Sequence, residues 1–219
     1  MIVLKISGKI FDEENLIKEY INIIKKHIDR GVIVTGGGET ARRYIERARG
    51  LGASNYFLDL IGIEVSRLNA LVLIAGLGDE AYPKPAESLV ELKSALSTSR
   101  YVVLGGLQPG QSTATVASLA AEAAGARALI NCSAVDAIYE EDPRRNPAAK
   151  KYDEIKASEL IALLKSRALP GTYELADVWS LEILRRSGIP MYVVDGRRPV
   201  LLADVLTGRG RPGTIVLPE

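Results

Sequence analysis

Six apolar runs of strand length, at residues 2 to 7, 32 to 35, 101 to 105, 128 to 132, 190 to 194 and 214 to 217, are separated mostly by segments of helical period. That alternation constrains the chain more than any other feature, because it predicts an α/β fold: a mainly parallel sheet covered by helices. Between the first two runs, Leu16, Ile17, Tyr20, Ile24 and Ile28 mark an amphipathic crossover helix, with Gly31 standing where a helix stop belongs. Residues 57 to 78 are ambiguous. Leu58, Ile61, Val65, Leu68 and Val72 have helical spacing, while Leu71-Val72-Leu73-Ile74 alone could form a strand; one long helix is the preferred reading. The stretch around Pro83 and Pro85, and Asp142-Pro143-Arg144-Arg145-Asn146-Pro147, read as loops too short to link domains. A single domain over residues 1–219 is therefore expected.

Charge and cysteine content narrow the function classes. Lys+Arg 28 against Asp+Glu 27 leaves no field of the kind that binds a nucleic-acid backbone. The one cysteine, Cys132, cannot form an internal disulfide, and no cluster has zinc-ligand spacing. The chain starts directly on the strand-like Ile2-Val3-Leu4, and no run reaches ~18 apolar residues. A soluble, unprocessed cytoplasmic protein is expected, with neither nucleic acid nor membrane as partner.

Two glycine-bearing turns, each between an apolar run and a helix-like segment, carry the chemistry. The first is Gly36-Gly37-Gly38-Glu39-Thr40-Ala41-Arg42-Arg43; the second is Gly105-Gly106-Leu107-Gln108-Pro109-Gly110-Gln111-Ser112-Thr113. Glycine lets backbone N–H groups approach phosphate oxygens, and the opening N–H groups of a helix carry partial positive charge. A tight strand-to-helix turn without ligand is the plain alternative for the first, and an ordinary capped loop for the second. Arg42 and Arg43 at a helix start favour an anion there, since the helix dipole otherwise disfavours cations in the first turn. In the second, Ser112 or Thr113 can cap the next helix while hydroxyls and N–H groups face an anion.

Lys5 interrupts an apolar strand, where period 2 puts Val3, Lys5 and Ser7 on one face. It could snorkel from an edge strand or pair with a carboxylate. Its context favours function: Ser7-Gly8-Lys9 ends the same strand, and open parallel sheets bind ligands beyond the carboxyl ends of their strands. The NTPase phosphate-loop motif and Gly-x-Gly-x-x-Gly spacing are both absent. His27, the only histidine, sits on a solvated helix face, which excludes histidine-dependent catalysis.

Leu4-Lys5-Ile6-Ser7-Gly8-Lys9, Thr35-Gly36-Gly37-Gly38 with Ala41-Arg42-Arg43, Gln108-Pro109-Gly110-Gln111-Ser112-Thr113, Val135-Asp136 through Tyr139 and Asp142-Pro143, and Gly171-Thr172-Tyr173-Glu174-Leu175 occur in that order. From residue 2 to about 217 the chain resembles archaeal uridylate kinases of the amino acid kinase superfamily. The resemblance implies a three-layer α/β/α sandwich, with an N-terminal part binding the phosphate acceptor and a C-terminal part binding ATP. It implies ATP- and Mg²⁺-dependent conversion of UMP to UDP, in pyrimidine nucleotide synthesis, by a homohexamer built as a trimer of dimers. By position it assigns Lys5 and Lys9 to catalysis, and Gly8, Lys9, Gly38, Arg42, Ser133, Tyr139 and Asp142 to ATP. It assigns Gly37, Asp59, Leu107, Gln108, Pro109, Gly110, Gln111, Ser112 and Thr113 to UMP, with Asp59 accepting from ribose hydroxyls. No residue is assigned as a metal ligand.

The chain departs from that pattern at Ala134 and Ala137, where many relatives have asparagine and glycine. It departs again at Ala114, where some relatives place an aspartate that could orient lysines; Asp136 is a candidate to compensate. Two alternatives follow. One is another small-molecule kinase of the superfamily, of amino-acid or isopentenyl phosphate type, though the histidine the latter type needs after the glycine turn is absent. The other is a nucleotide-binding sensor or storage protein without turnover, against which Lys5, Lys9 and Arg42 argue.

Overall fold

The structure, a computed structural model, describes residues 1–141, 143, 146, 148–165 and 176–219. Among these, seven strands form one sheet: β1 (Ile2–Ile6), β2 (Gly31–Thr35), β3 (Tyr101–Leu104), β4 (Ala128–Ser133), β5 (Glu154–Lys156), β6 (Met191–Asp195) and β7 (Thr214–Leu217). The order is β3-β2-β1-β4-β6-β7-β5. The first five in that order run parallel, β7 is antiparallel to β6, and β5 is parallel to β7. The parallel strands are near-continuous runs of Val, Ile and Leu because both faces are covered. β5 escaped the sequence reading for a physical reason: its one buried residue, Ile155, lies between exposed Glu154 and Lys156, so no apolar run marks it.

Helices lie on both faces, as the three-layer expectation requires. On one face α1 (Glu14–His27), α3 (Asn55–Leu77) and α8 (Pro199–Thr207) bury Tyr20, Ile24, Leu73, Leu77 and Leu202 against Leu4, Ile6 and Ile33. On the other, α4 (Leu89–Thr98), α5 (Thr113–Ala123), α6 (Ala157–Lys165) and α7 (Val178–Ser187) bury Leu92, Val116, Ala117, Leu160 and Leu181 against Val3, Val32 and Val34. α2 (Gly38–Gly50) packs along α3. Alternate strand residues thus feed two separate cores.

Gly31 does not stop α1. The helix ends at His27, its last turn carrying Lys25, Lys26 and His27 at the favourable end of the dipole, and Gly31 is the first residue of β2. A Cβ on Gly31 would lie 2.9 Å from the Ile28 side chain, so glycine there allows the strand to start close under the helix exit. The long-helix reading of residues 57 to 78 holds. Ala70, Leu73, Ile74 and Leu77 share the buried face of α3, while Leu68, Leu71 and Val72 are exposed, which a strand could not do with that spacing. By length and composition alone, Asn55–Glu80 is apolar enough to cross a membrane, a criterion that core helices also meet.

From β1 the chain builds outward through β2 to β3, then returns to place β4 on the other side of β1. The strand order therefore reverses between β1 and β4, and ligands of open parallel sheets bind beyond the carboxyl ends of the strands at such a reversal.

Candidate active site

The ends of β1 and β2 interlock through backbone. Gly36 N–H donates to the Ile6 carbonyl at 3.0 Å, and a Cβ on Gly8 would lie 2.0 Å from Gly38 N and 2.5 Å from Gly37 C. Only glycine fits at Gly8, and Gly38 has a positive φ of 66°. α2 then starts at Gly38 with Gly37 as its cap and no capping side chain, so its opening N–H groups point from beside Gly8 and Lys9. Ser7 Oγ accepts from Lys9 N–H at 3.4 Å, starting a 3₁₀ turn over Gly8–Asp12. Arg42 is exposed on the first turns of α2 with Glu39 3.5 Å away. The first cradle therefore joins Gly8, Lys9, Gly37, Gly38 and Arg42.

The second cradle follows β3. Gln111 N–H donates to the Gln108 carbonyl at 3.3 Å, closing a turn in which Gly110 has φ of 82°. Asp59, an exposed residue on the first turns of α3, accepts from Gly110 N–H through Oδ2 at 2.8 Å, which brings the expected ribose acceptor to the loop. Gln111 Oε1 is buried without a hydrogen-bond partner. Ser112, not Thr113, caps α5, accepting from Thr115 N–H at 3.0 Å. The Ser112 hydroxyl proton is directed to Asp177 Oδ2, and Thr115 Oγ1 donates to both carboxylate oxygens of Asp177 at 2.9 Å. Expected to face an anion, that hydroxyl is instead turned toward Asp177, which leaves the backbone N–H groups opening α5 as the anion donors of this turn.

Asp177 caps α7 as well, in a reciprocal capping box with Ser180. One carboxylate thus ties the N-termini of α5 and α7 together. α3 grips both glycine turns from the other face. Gly106 N–H donates to Ser66 Oγ at 2.7 Å, Arg67 Nε donates to the Gly106 carbonyl at 3.2 Å, and Asn69 Nδ2 donates to the Gly36 carbonyl at 2.8 Å. Thr35 Oγ1 donates to the Ser66 carbonyl at 2.8 Å, joining the end of β2 to the same helix turn.

Between the cradles lies Lys5, 5% exposed, at the carboxyl-end half of β1 beside the strand-order reversal. Its Nζ donates to Asn131 Oδ1 on β4 at 3.4 Å. Burial lowers its pKa to about 8, with the nearby Cys132 pulling the other way, and burial raises the Cys132 thiol to about 12. A buried cation with a neutral partner is costly for folding and strong toward an incoming anion.

The C-terminal side is assembled by β4 and β6. Gly196 N–H donates to the Ser133 carbonyl at 2.7 Å, and Ser133 Oγ accepts from Val135 N–H at 3.2 Å, fixing Ser133 at the carboxyl end of β4 beside β6. Tyr139 donates to Asp136 Oδ2 at 2.9 Å. Among the described residues Asp136 forms no ion pair with Lys5, and its carboxylate accepts from Tyr139. Asp142 and Gly171–Leu175 lie outside the described residues. Sequence reasoning missed Ser66, Arg67, Asn69, Asn131 and Asp177, none of which sits in a glycine turn. Asp177 carried one legible signal, its position three residues before Ser180 at a helix start.

The family model described as "Amino acid kinase family" matches residues 1–195. The chain is 53% identical over 214 residues to the uridylate kinase of Pyrobaculum calidifontis, covering 98% of each. It is 44% identical to the uridylate kinase of Staphylothermus marinus, covering 99% of this chain and 98% of the relative. Among solved structures, the uridylate kinase of Archaeoglobus fulgidus matches with a TM-score of 0.89 and 34% identity, over 98% of this chain and 99% of the other.

Proposed function

This chain belongs to the amino acid kinase family, and we propose from that premise that it transfers the γ-phosphoryl group of ATP to UMP, giving UDP and ADP. The geometric observation that carries the reading is the buried Lys5 at the strand-order reversal, on a strand whose carboxyl end packs against the Gly36-Gly37-Gly38 turn that opens α2.

We assign Gly8, Lys9, Gly38 and Arg42 to the ATP phosphates, with Ser133, Tyr139 and Asp142 around its nucleoside. Gly37, Asp59 and the loop Leu107–Thr113 hold UMP, Asp59 Oδ1 accepting from the ribose while Oδ2 keeps the loop in place. The unpartnered Gln111 Oε1 suits a donor such as N3–H of uracil, which cytosine lacks. An oxygen of the UMP phosphate attacks the γ-phosphorus in line, and the bond to the bridging oxygen of ADP breaks. The attacking phosphate is already ionised, so no side-chain base is needed. Charge on the equatorial oxygens is met by Lys5 and by the N-termini of α2 and α5. Mg²⁺ enters as MgATP, because this ion characteristically rides on substrate phosphates with few protein carboxylates.

We extend the proposal to a cytoplasmic enzyme acting as a single-domain subunit of a hexamer. The exposed Leu68, Leu71 and Val72 on α3 support self-association through that helix. The functional reading is tested by offering ATP and Mg²⁺ with UMP, CMP, dUMP, AMP, isopentenyl phosphate or acetylglutamate and identifying the product. Dominant UDP is expected. A different dominant product, or nucleotide binding without turnover, would contradict it.

A further inference from the structure

We propose that Asn131 is the positioning residue for Lys5: its neutral amide aims the ammonium across the strand-order reversal while leaving the positive charge uncancelled for the transferring phosphoryl group. The inference rests on the kinase reading of Lys5 and adds a residue to it.

Lys5 and Asn131 are directly paired in the parallel ladder of β1 and β4, so their side chains share one face. Both are buried, Asn131 at 0% exposure, and the Asn131 amide is the one hydrogen-bond acceptor that Lys5 Nζ reaches among the described residues. A fully buried asparagine inside Ala128–Ser133 is unfavourable unless its polar atoms are used. Among the described residues no carboxylate forms an ion pair with Lys5; Asp136 accepts from Tyr139, and Asp177 accepts from Ser112 and Thr115. α5, packed over the same face, offers the methyl group of Ala114 and then Val116 and Ala117, with no titratable residue before Glu122. From β2 the neighbour is Val34. Among the described residues the one titratable group acting on Lys5 is Cys132, kept neutral by burial.

The choice of amide over carboxylate has a chemical consequence. A carboxylate would hold the ammonium more strongly, yet cancel much of its field where phosphoryl charge develops. An amide fixes direction without that cancellation.

The test uses the full chain with Asn131→Asp, Asn131→Ala and the near-isosteric Asn131→Leu, and Lys5→Met to assign the Lys5 resonance. Lysine labelled with ¹³C at Cε reports Lys5 titration in the unliganded protein, and UDP formation reports kcat and KM. Asn131→Asp should move the Lys5 midpoint up by at least about one pH unit. All three variants should lower kcat by roughly 10-fold to 100-fold with KM for UMP and ATP within about threefold, the split expected of a group acting in the transition state. An unmoved midpoint in Asn131→Asp, or kcat in Asn131→Ala and Asn131→Leu within twofold of the parent, would overturn the inference even where UDP formation upholds the kinase reading. If the parent makes no UDP, that reading fails, and the titration still decides whether Asn131 holds Lys5.

Discussion

Lys5 combines two properties that pull in opposite directions. Burial lowers its pKa from 10.5 to about 8, so the charged form is penalised in the folded state. Because the folded pKa lies below the unfolded one, the penalty is fully present below about pH 8 and is relieved as pH rises toward 10.5, where the unfolded chain binds more protons. Below pH 8 it is of order 3 kcal/mol. Lys5→Met should therefore raise the melting temperature at pH 7 by several degrees while lowering kcat by about 10² to 10³. Calorimetry and steady-state kinetics on the same preparation check both; an unchanged or lower melting temperature would deny the burial cost. In the parent, kcat/KM for UMP should fall as pH rises through about 8, since this ratio reports the free enzyme. A flat profile to pH 10 would contradict a required ammonium. Lys5 was legible in the sequence because a cation broke an apolar strand. Asn131 breaks β4 in the same way, but its significance depends on which strand lies alongside, and pairing between residues 126 apart has no local signal.

At the scale of elements, the two cradles depend on helices that the glycine motifs do not contain. α3 was readable as a helix from its periodicity, yet Ser66, Arg67 and Asn69 look like ordinary polar positions until β2 and β3 are placed beside them. Ser66→Ala leaves the buried Gly106 N–H without its acceptor, which should cost about 1–3 kcal/mol and raise KM for UMP more than KM for ATP. Denaturant unfolding and kinetics measure the two effects; equal rises in both KM values would place Ser66 outside the acceptor site. Asp177 joins α5 to α7, so Asp177→Ala should lose about 1 kcal/mol of capping and raise KM for UMP, while Asp177→Asn keeps the cap and part of the hydroxyl contacts. If the asparagine variant is no better than alanine in either measurement, the carboxylate rather than the cap dominates.

Across the whole molecule, the alternation of apolar runs was enough to predict a parallel sheet with helices, because strand and helix periods are local. The position of β1 at the centre, the reversal beside β4 and the antiparallel β7 were not readable, since sheet order is set by long-range packing. The apolar residues of α3 were ambiguous for the same reason, and the structure divides them into a buried face and an exposed one. If the exposed face joins subunits, Leu68→Glu should lower the mass measured by light scattering; an unchanged mass would remove that face from assembly. The proposed phosphoryl transfer turns on Lys5 acting on the transferring group between two phosphate cradles. Its most direct test is Lys5→Met measured side by side with the parent for UDP formation and for UMP affinity by calorimetry. A loss of kcat by about 10² or more with UMP affinity within about threefold is the predicted result. Near-normal turnover, or a loss explained entirely by weaker UMP binding, would contradict it.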